Sequence, residues 1–73
     1  MEELLQLLSE IRPDVDFEAE DELMDADVLD SFDVITIVSE IQDKYNIEID
    51  VVDIVPDNFN SAELIWKLIE RCM

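Results

Sequence analysis

Asp30-Ser31-Phe32-Asp33-Val34-Ile35-Thr36-Ile37-Val38-Ser39-Glu40-Ile41-Gln42-Asp43-Lys44-Tyr45 is the stretch from which the rest of the chain can be read. Ile35, Val38, Ile41 and Tyr45 share one helical face with Ile37 beside them, which predicts a helix from Ser31 to Tyr45 with that face turned to a core. Asp30 has the side chain of a good N-cap. Asp33 puts a carboxylate in the first turn, where the helix dipole favours it. Asp33, Thr36, Glu40 and Asp43 fall on the opposite side.

Upstream, Leu4, Leu7, Leu8 and Ile11 lie at i, i+3, i+4 and i+7, one face of a first helix that Glu2 and Glu3 begin and Pro13 ends. Between the two helices, Asp14 to Asp30 has no helical or strand period. It reads as a long acidic connection pinned to the core by Val15, Phe17, Leu23, Met24 and Leu29, and a loop of that length tends to be functional. Downstream, Ile47, Ile49 and Val51 alternate with Glu48 and Asp50. The alternation fits a strand, and a loop running into a short helical turn around Val51 to Ile54 fits it equally, since one strand has nothing to pair with. Pro56-Asp57-Asn58 signals a turn. Asn60 or Ser61 then caps a last helix in which Leu64, Ile65, Leu68 and Ile69 share a face. The expected fold is all-α: a small four-helix bundle of three main helices and a short one, forming one domain over residues 1–73.

Charge narrows the function. The 73 residues hold 4 basic and 21 acidic side chains, a formal charge of −17, yet 49% of residues are apolar, too many for a disordered chain. Between Pro13 and Asp43 there are twelve acids and no base, so a nucleic acid or an anionic membrane surface would repel this chain. Without glycine there is no phosphate-cradling loop, and without histidine there is no Ser-His-Asp or Cys-His nucleophile, so no catalysis is expected here. The acids from Asp14 to Asp25 imitate a calcium loop in part. Ala19 replaces the required glycine and Asp25 the bidentate glutamate, so no metal site is expected. The sequence reads as having no signal peptide or membrane span, and its single cysteine, Cys72, lies close to Glu70, which is expected to disfavour a thiolate. These features suit a cytoplasmic protein, and like charge predicts a monomer.

The run Val28-Leu29-Asp30-Ser31-Phe32-Asp33 places a serine at the start of an acidic helix reached by a long loop. Here the chain resembles the acyl carrier protein family, small four-helix domains that carry acyl or aminoacyl groups on a phosphopantetheine arm. The family's Asp-Ser-Leu hallmark stands here as Asp30-Ser31-Phe32, and the resemblance extends over nearly the whole chain, including the Ile47-Glu48-Ile49 step and the last helix after Asn60-Ser61. Most relatives have glycine just before the motif, where this chain has Ala26-Asp27-Val28, and the Asp50 to Asn60 stretch is longer and more apolar than in a fatty acid carrier. The Leu29-Asp30-Ser31 run also looks like D-alanyl and other specialised carriers.

The resemblance implies that Ser31 bears 4'-phosphopantetheine, derived from coenzyme A and attached by a phosphopantetheinyl transferase, and that Asp30 helps place the serine in the transferase complex. It implies a thioester cargo, acyl or aminoacyl, loaded by a ligase or synthase. Phe32, Asp33, Thr36, Glu40 and Asp43 then form the face offered to partner enzymes, with the acids docking on basic patches. A second reading is an unmodified acidic helical module that binds a basic protein through the same helix. A divalent-cation buffer is a third.

Overall fold

The computed structural model describes residues 1–73, and its three long helices follow the apolar periods of the sequence, while the turn expected at Pro56-Asp57-Asn58 closes as a single helical turn. Helix α1 spans Glu2–Ile11, α2 spans Ser31–Tyr45, α3 is a single turn over Pro56–Phe59, and α4 spans Ala62–Cys72. Helix α1 buries Leu4, Leu7 and Leu8. Its last bond runs from Arg12 N–H to the Leu8 carbonyl at 2.9 Å, and Pro13 cannot continue the ladder.

Helix α2 buries Val34, Ile37, Val38 and Ile41, while Ile35 is 65% exposed. The expected apolar face was therefore centred one residue away from the real one. Val34, Ile35, Ile37 and Val38 crowd so many apolar side chains into about one turn that periodicity permits either stripe, and tertiary packing buries the one containing Val34. The helix ends at Asn46, whose φ of 53° is the left-handed conformation that asparagine tolerates at a C-cap.

The Ile47–Asp50 segment forms no strand. The alternative reading holds: Ile49 is buried with its N–H bonded at 2.8 Å to Gln42 Oε1, and a 3₁₀ turn follows over Val51–Asp53 with Asp50 as its cap. Pro56 opens α3 at a position where its missing N–H costs nothing. Phe59, which periodicity did not single out, is fully buried. Ser61 caps α4, which buries Ala62, Ile65, Leu68 and Ile69; Leu64 stays half-buried and Ala62 completes the stripe in its place.

Sixteen residues form one apolar core, and none of them is polar or charged. All 21 acids are thus left at or near the surface of a small body, where they repel one another. Deleting a large buried ring such as Phe59 would cost about 3–5 kcal/mol, comparable to all that a core of this size supplies.

The long connection from Arg12 to Asp30 has no helix or strand, as its lack of period implied. Phe17, Leu23 and Leu29 plug it into the core. Leu29 N–H bonds the Leu23 carbonyl at 2.9 Å, closing the last part of the connection into a tight loop. Asn60, at the α3–α4 junction, holds that loop. Its Oδ1 accepts from the N–H groups of Met24 and Asp25 at 3.1 Å each, its Nδ2 donates to Asp25 at 3.0 Å, and its carbonyl accepts from Leu23 N–H at 2.9 Å.

Candidate functional site

The loop delivers the chain to α2 through a strained step. Asp27 has φ of 56°, a conformation costly for most side chains and tolerated by aspartate. This lies in the segment where glycine was noted as missing, so the backbone keeps a glycine-like conformation without the glycine. Two residues later Leu29 is buried, and Asp30 turns the chain with extended backbone into the helix.

Asp30 and Asp33 cap the helix reciprocally. Asp30 Oδ1 accepts from Asp33 N–H at 2.8 Å, and Asp33 Oδ2 accepts from Asp30 N–H over a longer 3.4 Å. This is a capping box with aspartate in both positions, the first stabilising by about 1 kcal/mol as an ordinary N-cap does. Since Asp30 occupies the cap, Ser31 falls one residue inside the helix, exposed, and its hydroxyl makes no hydrogen bond within the chain. The N–H groups of Ser31 and Phe32 likewise have no partner in the chain, as expected of a first helical turn.

The residues expected to form a partner face are divided by the fold. Phe32 is 76% exposed next to the serine. Ile35, expected in the core, instead joins Met24, Leu29, Val34 and Ile54 along an open cleft of about 380 Å³ that Ser31, Asp30 and Asp27 rim. Glu40 and Asp43 are exposed and line a groove against α1, facing Glu3 and Glu10, with Lys44 at its edge. Thr36 is half-buried and its hydroxyl donates to the Phe32 carbonyl at 3.0 Å, so it serves the helix backbone.

Asp33 is not a free carboxylate. Arg12, at the end of α1, donates through Nη1 to Asp33 Oδ2 and, at 3.2 Å, to the Val28 carbonyl. Its Nε and Nη2 fork onto Asp14 at 3.0 and 2.9 Å. The hydrogen bond from the guanidinium holds the Asp14 carboxyl below the usual carboxylate range, and the same bonds push the Arg12 guanidinium up. Sequence reading passed over Arg12 and Asn60 as site residues. The only local signal for either was a lone base among acids and a polar residue ahead of a helix cap.

No group of three or more Asp, Glu or Cys side chains is gathered to hold a metal ion, and Asp14, the first acid of the calcium-like run, is engaged by Arg12. No helix is long and apolar enough to cross a membrane. Cys72 is a half-exposed free thiol near the end of α4.

Residues 2–65 match the family described as phosphopantetheine attachment site, and no curated protein or solved structure matches the chain. That match covers most of the 73 residues, and the chain belongs to this carrier family. Its prosthetic group is 4'-phosphopantetheine, and its role is that of a phosphopantetheine carrier. Carrier domains of this family are non-catalytic and interact with transferases and biosynthetic enzymes.

Proposed function

We propose that this member of the phosphopantetheine-attachment family is one carrier domain over residues 1–73 whose Ser31 takes the arm and whose cargo is an acyl or aminoacyl thioester. The observation that carries the reading is the hydroxyl of Ser31, exposed and unpartnered at the start of a 15-residue helix. A phosphodiester on that oxygen would meet the unpartnered N–H groups of Ser31 and Phe32 and the positive end of the α2 dipole, which favour an anion.

Attachment joins Ser31 Oγ to the phosphate that carries pantetheine in coenzyme A. The bond from that phosphate to the adenosine bisphosphate breaks, adenosine 3',5'-bisphosphate leaves, and the hydroxyl proton passes to the transferase. The proton cannot go to a histidine of this chain, because it has none. When attached, the arm supplies a terminal thiol to hold cargo. The chain's own residues cap and orient the helix, expose the serine, and leave Asp30 at the rim for the transferase complex.

Partner enzymes dock around Ser31 through basic patches. Phe32 provides an apolar contact beside the serine, and Glu40 and Asp43 provide charge further along α2, suited to quick, salt-sensitive encounters. Loading falls to a ligase or synthase, and the carrier works as a cytoplasmic monomer. The test is incubation of the purified chain with coenzyme A and a promiscuous transferase, followed by intact mass measurement. The expected result is one phosphopantetheinyl added to the wild type and none to Ser31→Ala. Absence of a gain in the wild type, or a gain that survives the substitution, overturns the assignment.

A further inference from the structure

Only one of the chain's four basic residues reaches the junction that bears Ser31. Lys44 lies 4.0 Å from Glu3, Lys67 lies 3.8 Å from Glu63 and Arg71 bonds Asn58, all away from that junction. Arg12 alone binds residues on both sides of it, with Val28 on the loop limb and Asp33 on the helix limb, while a third contact ties it to Asp14. Asp30, Ser31 and Phe32 between those limbs are exposed, so apolar packing holds only Leu29 and Val34 at their flanks. The polar clamp fixes what the core does not.

We propose that Arg12 is a positioning residue for modification of Ser31: it holds the two limbs of the Val28–Asp33 turn to the end of α1 so that Ser31 Oγ and the Asp30 carboxylate face outward together. The role rests on Ser31 being the attachment point. Asp33 links the two halves of the device, since the oxygen that Arg12 grips is the one that accepts from Asp30 N–H. Arginine suits the task because its planar fork serves three acceptors at fixed angles, which a lysine ammonium cannot do.

Charge and positioning predict opposite signs. Removing Arg12 makes an already acidic chain more acidic, so electrostatics alone would speed encounter with a basic transferase. Loss of positioning slows the transfer step, because a displacement of about 1 Å at a reacting group can cost on the order of 100-fold.

The experiment measures kcat and KM for transfer from coenzyme A to the whole chain, with the melting temperature of each variant recorded and assays run well below it. Arg12→Gln is expected to lower kcat about tenfold or more with KM unchanged or lower. Arg12→Lys recovers part of the loss, Asp33→Asn reproduces it, and the double variant Arg12→Gln/Asp33→Asn is no worse than either alone, as one shared contact requires. Lys67→Gln, an equal charge change on α4, leaves kcat unaltered. If Arg12→Gln does not fold, Arg12→Lys and Asp33→Asn carry the same comparison. A wild type that accepts the group while Arg12→Gln or Asp33→Asn accepts it as fast or faster overturns the role of Arg12 alone. A wild type that gains no mass overturns the Ser31 assignment and this role together.

Discussion

Two serines stand at the starts of two helices, and the fold treats their hydroxyls in opposite ways. Ser61 is itself the N-cap of α4; its Oγ accepts from Leu64 N–H at 3.1 Å and the residue is half-buried. Ser31 is one place further into its helix because Asp30 has taken the cap, and its hydroxyl is exposed and unpartnered. A shift of one residue relative to the cap separates a hydroxyl that holds a helix from one that is open to chemistry. The residue before the helix, more than the serine, decides which it will be.

The largest contrast comes from deleting each hydroxyl. Ser31→Ala is expected to abolish the mass gain from coenzyme A while leaving the melting temperature close to wild type. Ser61→Ala is expected to keep the full mass gain and lose about 1 kcal/mol of stability, a drop of roughly 4–8 °C in a domain this small. Mass spectrometry with thermal melts separates the two, and a Ser61→Ala chain that cannot be modified would break the comparison.

Asn60, next to Ser61, tests whether the two junctions are independent. Its side chain satisfies the N–H groups of Met24 and Asp25 in the loop that leads to Ser31, so Asn60→Ala is expected to cost about 1–3 kcal/mol. Hydrogen exchange at Met24 and Asp25 should quicken more than exchange within α1.

Substitution of Asp30 divides its two roles. Asp30→Ala should lower stability by about 1 kcal/mol, whereas Asp30→Asn, an equally good cap, should hold the melting temperature. If the carboxylate also assists the transferase, Asp30→Asn slows modification without the stability loss; a normal rate in Asp30→Asn reduces the residue to a cap.

The smallest effect lies in acid. Arg12 lowers the folded-state pKa of Asp14, so this exposed pair contributes stability above the ordinary carboxylate range and loses it as pH falls through the lowered folded value. The difference in melting temperature between wild type and Asp14→Asn should therefore be present at neutral pH and vanish in strong acid. A difference that persists there would mean that packing, not charge, accounts for it.

Much of the site could be read from the sequence because capping is local. Helix α2 begins and ends where Ser31 and Tyr45 had placed it, and Asp30 caps it through a partner three residues away. The face expected to meet partner enzymes was less legible. Asp33 read as a surface acid, yet Arg12, 21 residues earlier, grips it, and Thr36 read as an outward polar residue, yet its hydroxyl bonds the Phe32 carbonyl. Ile35 was expected in the core and Val34 is buried instead, because an apolar cluster within about one turn does not say which side its neighbours will cover. The Ile47–Val51 alternation produced no strand because strand formation needs a partner that this chain does not offer.

The sequence by itself determined the three long helices, the cap that exposes Ser31, and the family to which the chain belongs, since each depends on residues within about one helical turn or on a pattern along the chain. Only the tertiary structure decided which acids are free and which are gripped, which isoleucine faces the cleft beside Ser31, and how Arg12 and Asn60 hold the long loop. Those depend on contacts between residues 16 to 37 positions apart, and no local period encodes a distance of that kind.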